Sequence, residues 1–277
     1  MNRVEALNVP AQNAAVITAH EFLRQAVAPP SFEIVEGHYL VRFARTREEV
    51  DAALKLRFEV FNLELGEGLA TSFATGRDAD EFDEVCHHLI VLDANDNRVV
   101  GTYRCQTGEM AAARGFYSAG EFDISLLPAA VLLDAVELGR ACVSQSHRNT
   151  QVLFLLWKGL AAYVVANRKR YLFGCCSLTS QNESEGQRAF DLLKRQGHLH
   201  TTFRVMPRVG LECHGDGLLT NESAEVSLPK LFSIYLRFGA RVCGPPAIDR
   251  LFKTIDFLIL FDIQEMAAQR RKAFFGA

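Results

Sequence analysis

Residues 137–178 read ELGRACVSQSHRNTQVLFLLWKGLAAYVVANRKRYLFGCCSL, and their pattern decides the fold. The segment divides into a strand over ELGRACV, a turn over SQSHRN, a long helix over the apolar run VLFLLWKGLAAYVVA, and a second strand over YLFGCCSL. The apolar run is too long for a strand, which rarely exceeds about 8 residues. Its first strand holds Glu137 and Arg140, opposite charges where a buried strand carries Val or Ile. A buried charge is costly unless it is paired or put to chemical use. Residues three apart on a regular strand face opposite sides of the sheet. The two side chains therefore share a cleft only if the strand bulges, and Gly139 between them is the residue type that marks bulges. A bulge is expected near Leu138 to Ala141.

Working outward, HYLVRFA reads as a strand, and TREEVDAALKLRFEVFNLEL as a helix with Thr46 at its N-cap and Glu49 three residues on. A loop rich in Gly and acids runs from Leu65 to Asp83. HHLIVLD, DNR and VVGTYRC form strand, turn and strand, a hairpin signature. A connection with a short helix leads into the opening segment. Beyond it lie a helix over SEGQRAFDLLKRQG ended by Gly197, a helix running into a strand over LPKLFSIYLRFGARV, the buried strand IDFLILFDI and a closing helix, QEMAAQRRKAFF. The order argues for an α/β fold, a mixed sheet with helices on both faces. Residues 1–35 read as a helical appendage. Residues 36–277 read as one domain, with a core to about residue 200 and a C-terminal block from about 201 onward.

A net charge of −3 over 277 residues does not suggest a nucleic-acid partner. The seven cysteines are odd in number, and most sit inside apolar runs, so they read as small core residues in a reducing, cytoplasmic setting. The N-terminus lacks the apolar core of a secretory signal, and the longest apolar run falls short of the ~20 residues that span a bilayer.

Several motifs fail on physical grounds. His88 and Asp93 match a His-x4-Asp acyltransferase pattern, but five strand steps of about 3.3 Å set them far apart on opposite faces. His198, His200, Cys213 and His214 lack a zinc spacing, and no metal or other cofactor is expected. Neither a phosphate loop nor a nucleophile elbow occurs.

One constellation survives. Arg57 lies on a helix with Phe58 and Phe61; Asp80 and Asp83 sit three apart in the acidic loop RDADEFDE; Arg104 lies on the second hairpin strand; Glu137 and Arg140 lie on the next. Charges on two successive apolar strands are hard to explain as surface decoration. Glu137 is the candidate general base, with His88 its rival. Arg104 or Arg140 is the candidate for holding an acceptor's carboxylate and Asp80 and Asp83 for holding a cationic side chain, with Arg57 a further candidate for substrate binding.

The strand–turn–helix–strand order resembles the acyl-transfer core of the GNAT superfamily. LRFEVF, the Asp-x-x-Asp pair, Arg104 and Glu-x-x-Arg resemble the signature of acyl-homoserine-lactone synthases. FYSAGEFD, ELGRACV, LLWKGLAAY, GCCSL and YLRFGARVCGPPAID…FKTIDFLILFDI, in that order, resemble the bacterial ornithine-lipid N-acyltransferases. The resemblance implies a GNAT-like, mostly antiparallel sheet with a C-terminal extension. It further implies transfer of a 3-hydroxyacyl chain from acyl carrier protein to the α-amine of an amino acid; ornithine, glycine and lysine all remain open. Acetyl-CoA-using members carry Gly in the turn after the Glu-bearing strand, so that backbone N–H groups cradle a pyrophosphate. SQSHRNTQV has no Gly, which favours the carrier protein as donor. Carrier proteins are acidic, and Arg148, Arg168, Lys169 and Arg170 are candidates for meeting one. The alternatives are an acyl-homoserine-lactone synthase, a CoA-dependent amine acyltransferase, and a non-catalytic acyl- or carrier-binding module. The closing helix, with Arg270, Arg271, Lys272, Phe274 and Phe275, is expected to touch a membrane surface peripherally.

Overall fold

In the computed structural model, which describes residues 28–215 and 226–275, nine strands form one sheet. They are β1 (Ile34–Glu36), β2 (Tyr39–Phe43), β3 (His87–Asp93), β4 (Arg98–Thr107), β5 (Ala135–Val143), β6 (Tyr171–Leu178), β7 (Arg241–Val242), β8 (Ala247–Asp249) and β9 (Thr254–Asp262). Their order is β1-β2-β3-β4-β5-β6-β9-β7, with β8 paired to β9. Only β5 and β6 run parallel. The longer helices are α1 (Arg47–Arg57, continued by a π-helical turn Phe58–Glu64), α2 (Thr150–Ala166), α3 (Glu183–Arg195), α4 (Lys230–Phe238) and α5 (Ala268–Phe275). This is the GNAT-like architecture that the resemblance implied.

Helices cover both faces, which is why β3 is buried along its whole length. Leu89 and Val91 join a cluster with Leu155 and Leu156 of α2, while Ile90 and Leu92 pack with Ala53 of α1. The α2 backbone comes close to the sheet at Gly159, where an added Cβ would lie 2.9 Å from Leu89 Cδ1. Thr46 caps α1 by accepting the Glu49 N–H.

Two irregularities in β5 shape everything that follows. Thr102 pairs with Cys142 and Arg104 with Gly139, so Arg140 and Ala141 together face Tyr103. That is the expected bulge, but the left-handed residue is Arg140, with φ 50°, and not the glycine. Pairing with β6 then stops: Ala135–Glu137 match Tyr171–Phe173, and beyond these the strands part. Gly174 stands at the fork, where a Cβ would lie 2.2 Å from the Leu138 carbonyl oxygen, so only glycine fits.

Along its other edge β6 pairs with β9 over its whole length, from Tyr171↔Asp262 to Leu178↔Ile255. The C-terminal block thus continues the sheet. At the other edge the sheet begins at Ile34, ahead of the expected boundary at residue 36, whereas residues 1–27 lie outside the described residues. Among the described residues no helix is long and apolar enough to cross a membrane. In α5 the side chains of Arg270, Phe274 and Phe275, expected to touch a membrane, also lie outside them. All seven cysteines are free thiols.

Candidate active site

A cavity of about 390 Å³ opens where β5 and β6 part. Because the sheet is split there, the cavity passes from one face to the other. On the α2 face its walls are apolar: Trp157 and Leu160 of α2, Phe232 and Tyr235 of α4, and Phe261 of β9. Trp157 stacks on Tyr235, with ring centroids 5.9 Å apart. The α1 face is polar and includes Glu67, Tyr117, Arg140, Thr179 and Asp256.

Beside the polar end, the surviving constellation assembles as a closed ion network. Arg57, only 1 % exposed, donates from Nε to Asp78 at 2.8 Å and from Nη1 to Asp83 at 2.6 Å. Arg104 donates from Nη1 to Asp80 at 2.5 Å and to Asp83 at 3.0 Å. Arg140 donates to Asp78 and Asp80, each at 3.1 Å. Three guanidinium groups thus neutralise three carboxylates, and the Arg140 charge is sandwiched 4.7 Å from the Tyr117 ring and 4.3 Å from that of Phe252. Burial alone would raise the Asp83 pKa, but Arg57 and Arg104 hold it well below the usual carboxylate range. The clamp also explains how Arg140 keeps a backbone conformation that is unfavourable for a side chain with a Cβ.

Asp80 and Asp83, expected to hold an acceptor's cation, have partners within the protein. Asp80 Oδ1 takes the Phe82 N–H as well as Arg104, and its Oδ2 takes Arg140. Asp83 Oδ1 takes Arg57 and Arg104; its Oδ2 takes Arg57 and the Asp80 N–H. All four oxygens already accept from the protein's own arginines and amides, so these two carboxylates are spent on holding Arg57, Arg104 and Arg140. Arg57 lies behind the cavity, whereas Arg104 and Arg140 line it. Asp78, fully buried between two arginines, was missed at the sequence level.

Glu137 lines the cavity but does not pair with Arg140. It accepts the Tyr117 and Ser118 N–H groups, both at 2.8 Å, and the Ser118 hydroxyl at 2.6 Å. Those bonds fasten the helical turn Tyr117–Gly120, which carries the ring stacked on Arg140. Burial raises the Glu137 pKa against the opposing pull of these donors and of Arg104. His88 is elsewhere: buried on β3 outside the cavity, with Nε2 3.1 Å from the Asp83 carbonyl oxygen. Burial lowers its pKa.

The basic residues suggested for a carrier protein do not form one patch. Arg148 precedes α2 and Arg168, Lys169 and Arg170 follow it, so the 17-residue helix separates them by roughly 25 Å. Arg148 pairs with Glu64, Lys169 with Glu109 and Arg170 with Asp262.

A second group of acids lies at the polar end. Ligand atoms of Glu121, Asp249 and Asp256 all fall within 4.8 Å of one another, and Glu67 lines the cavity with Asp256. Sequence reasoning missed all four. The available signal was Asp256, an acid inside the apolar strand IDFLILFDI.

Comparison with known proteins places the chain beside acyltransferases. Residues 56–158 match the family described as "Acetyltransferase (GNAT) domain". The chain is 32 % identical to the L-ornithine N(alpha)-acyltransferase of Rhizobium meliloti (strain 1021), over 95 % of this chain and 93 % of that protein. It is 34 % identical to the L-ornithine N(alpha)-acyltransferase of Rhodobacter capsulatus, over 89 % and 96 %. Among solved structures, FeeM, an N-acyl amino acid synthase from uncultured soil microbes, is 13 % identical and covers 82 % of this chain and 92 % of its own, with a TM-score of 0.47. The AHL synthase LasI is 11 % identical over 87 % and 97 %, with a TM-score of 0.46.

Proposed function

The chain belongs to the L-ornithine N(alpha)-acyltransferase family, and from that premise we propose that it moves a 3-hydroxyacyl chain from acyl carrier protein to the α-amine of ornithine. The observation that carries this reading is the forked cavity: an apolar arm suited to an acyl chain meets a polar end suited to an amino acid at the split in the sheet. An α-amine is protonated at neutral pH and must lose a proton before it attacks. Glu137 is the proposed base. Three of its roughly four lone-pair positions are filled, one acceptor position on Oε2 remains, and burial shifts its pKa in the direction a base requires. The amine nitrogen then bonds to the thioester carbonyl carbon, the C–S bond breaks, and the thiol of the donor leaves with a proton. Beyond Glu137 the edge of β5 turned towards β6 has no strand partner, so its backbone N–H groups are available to the developing oxyanion. Arg140 is the proposed contact for the acceptor's carboxylate.

The choice of carrier protein over CoA is supported by the glycine-free turn before α2, which is folded as a short helical turn, Gln145–His147, while Asn149 caps α2 by accepting the Val152 N–H. Arg148, beside that helix start, is the proposed contact for the acidic carrier. A place in amino-acid lipid synthesis at the cytoplasmic membrane surface fits such a product.

The test uses the purified chain with one 3-hydroxyacyl group, presented on carrier protein or on CoA, and ornithine, lysine or glycine as acceptor. Mass spectrometry should show acylornithine, formed at least tenfold faster from the carrier. No acylated amino acid from any combination would overturn the reading.

A further inference from the structure

The four acids at the polar end form a cluster that the protein's own cations leave unmatched among the described residues. Glu67, Glu121 and Asp256 are buried, at 6 %, 6 % and 3 % exposure. Among the described residues, none of these three, nor Asp249, forms an ion pair with Lys, Arg or His. Apart from the contact between Glu121 and Asp256 themselves, their partners are neutral, Ser177 on Asp256 among them. Thr179 donates to Glu67, the Cys175 thiol to Glu121 at 3.5 Å, and Thr254 to Asp256 Oδ2 at 3.0 Å; Asp249 caps the Leu251 and Phe252 amides at 2.8 Å. Asp256 Oδ1 is buried on the cavity wall with no donor at all. Burying like charges without a cation is strongly unfavourable. A site that does so is built for a positive charge that arrives from outside.

Resting on the acyltransferase reading above, we propose that Glu67 and Asp256, which line the cavity, backed by Glu121 and Asp249 beside Asp256, form the receptor for the side-chain ammonium of the acceptor, and that this is how the enzyme selects a diamino acid. A primary ammonium offers three N–H donors. Asp256 Oδ1 is an open acceptor for one, and Glu67 and Glu121 lie alongside. The cavity joins this corner to Arg140 and to the fork, so one short amino acid can have its cation among the acids and its α-carboxylate near Arg140. Its α-amine is then presented to the thioester. The role assigned from sequence to Asp80 and Asp83 thus falls to acids that have no ion pair among the described residues.

The experiment compares ornithine with norvaline, which has the same carbon chain but no side-chain amine. Wild type, Asp256→Asn and Glu67→Gln are measured by acyl transfer and, independently, by the rise in melting temperature on adding each amino acid. Wild type should prefer ornithine in kcat/KM by at least 100-fold, and only ornithine should raise its melting temperature. Each variant should raise the KM for ornithine tenfold or more with a smaller change in kcat, and narrow the preference. Variants that fold and keep the wild-type preference would overturn the receptor. So would loss of ornithine and norvaline activity in equal measure, or a stoichiometric divalent metal in the purified wild type that ornithine does not displace. The two hypotheses fail separately. Asp256-dependent ornithine binding without transfer would sustain the receptor and sink the reaction. Transfer without Asp256-dependent selection would do the reverse.

Discussion

Two acidic clusters flank the same cavity and have opposite electrostatic fates. Asp78, Asp80 and Asp83 are matched one for one by Arg57, Arg104 and Arg140, so their charge is consumed inside the fold. Glu67, Glu121, Asp249 and Asp256 have hydroxyl, thiol and amide partners and, for Glu121 and Asp256, each other, but among the described residues no cation. The first cluster acts as a truss that locks Arg140 in place at the bulge. The second is an unmet demand for positive charge. Acidity alone does not make a cation site; what matters is whether the protein has already supplied the cation.

The sharpest break in this contrast is Arg57→Ala. It would leave the fully buried Asp78 without its 2.8 Å partner and strip two bonds from Asp83. Breaking a buried pair from one side costs about 3–5 kcal/mol, readable by urea denaturation. A loss below about 1 kcal/mol would mean that the truss is not structural.

Glu137 lies between the two extremes, an acid rich in donors but without an ion pair, and it tests whether the fork is a catalytic centre. Glu137→Gln should lower kcat by about 10²–10⁴-fold, the usual contribution of a positioned base. Its amide nitrogen cannot accept the N–H it would face, so stability should fall as well, by about 1–3 kcal/mol. Ser118→Ala separates the two effects: it removes the 2.6 Å hydroxyl contact and keeps the carboxylate, so it should lose stability with much less loss of rate. Equal rate losses in both variants would make Glu137 an anchor for the Tyr117 turn alone.

The smallest expected effect is on pH dependence, where the clusters should have opposite signs. Asp83 has a depressed folded pKa, so its stabilisation is complete above the ordinary carboxylate value of about 4 and is lost as pH falls through the folded value. Burial raises the folded pKa of Asp256, Glu121 and Glu67, with Asp256 adding to the rise at the other two. Their contribution is therefore complete below about 4 and declines as pH climbs through the folded values. Asp256→Asn should make that decline shallower by about 1–3 kcal/mol and leave the acid limb unchanged. Melting temperatures between pH 4 and 9 would show it; identical alkaline slopes in variant and wild type would contradict it.

Much of this was legible in the sequence, for identifiable reasons. The period and length of residues 137–178 marked strand, helix and strand because each element buries a different repeat. Arg57, Arg104 and Arg140 stood out because charges in apolar elements require partners, and they do converge. Which partners they find is a tertiary fact. Glu137 and Arg140, neighbours on one strand, bond to different loops, and the acids expected to hold the acceptor's cation are satisfied by the protein's own arginines. Gly139 pointed to the bulge, but the left-handed backbone falls on Arg140, since the guanidinium clamp can hold a conformation that local propensity disfavours. The second cluster was hidden because Glu67, Glu121 and the β8–β9 pair Asp249 and Asp256 come from three separate segments. Even so, the logic that singled out Glu137 applies equally to Asp256 in β9.

The central claim is an orientation: the acceptor's side-chain ammonium sits among the unpaired acids and its α-amine faces the thioester at the fork. The regiochemistry of the product reads this directly. Purified chain, 3-hydroxyacyl carrier protein and ornithine should give a single product acylated on Nα with Nδ free, assigned by fragmentation mass spectrometry or NMR. A product acylated on Nδ, or a mixture of the two from wild type, would contradict it.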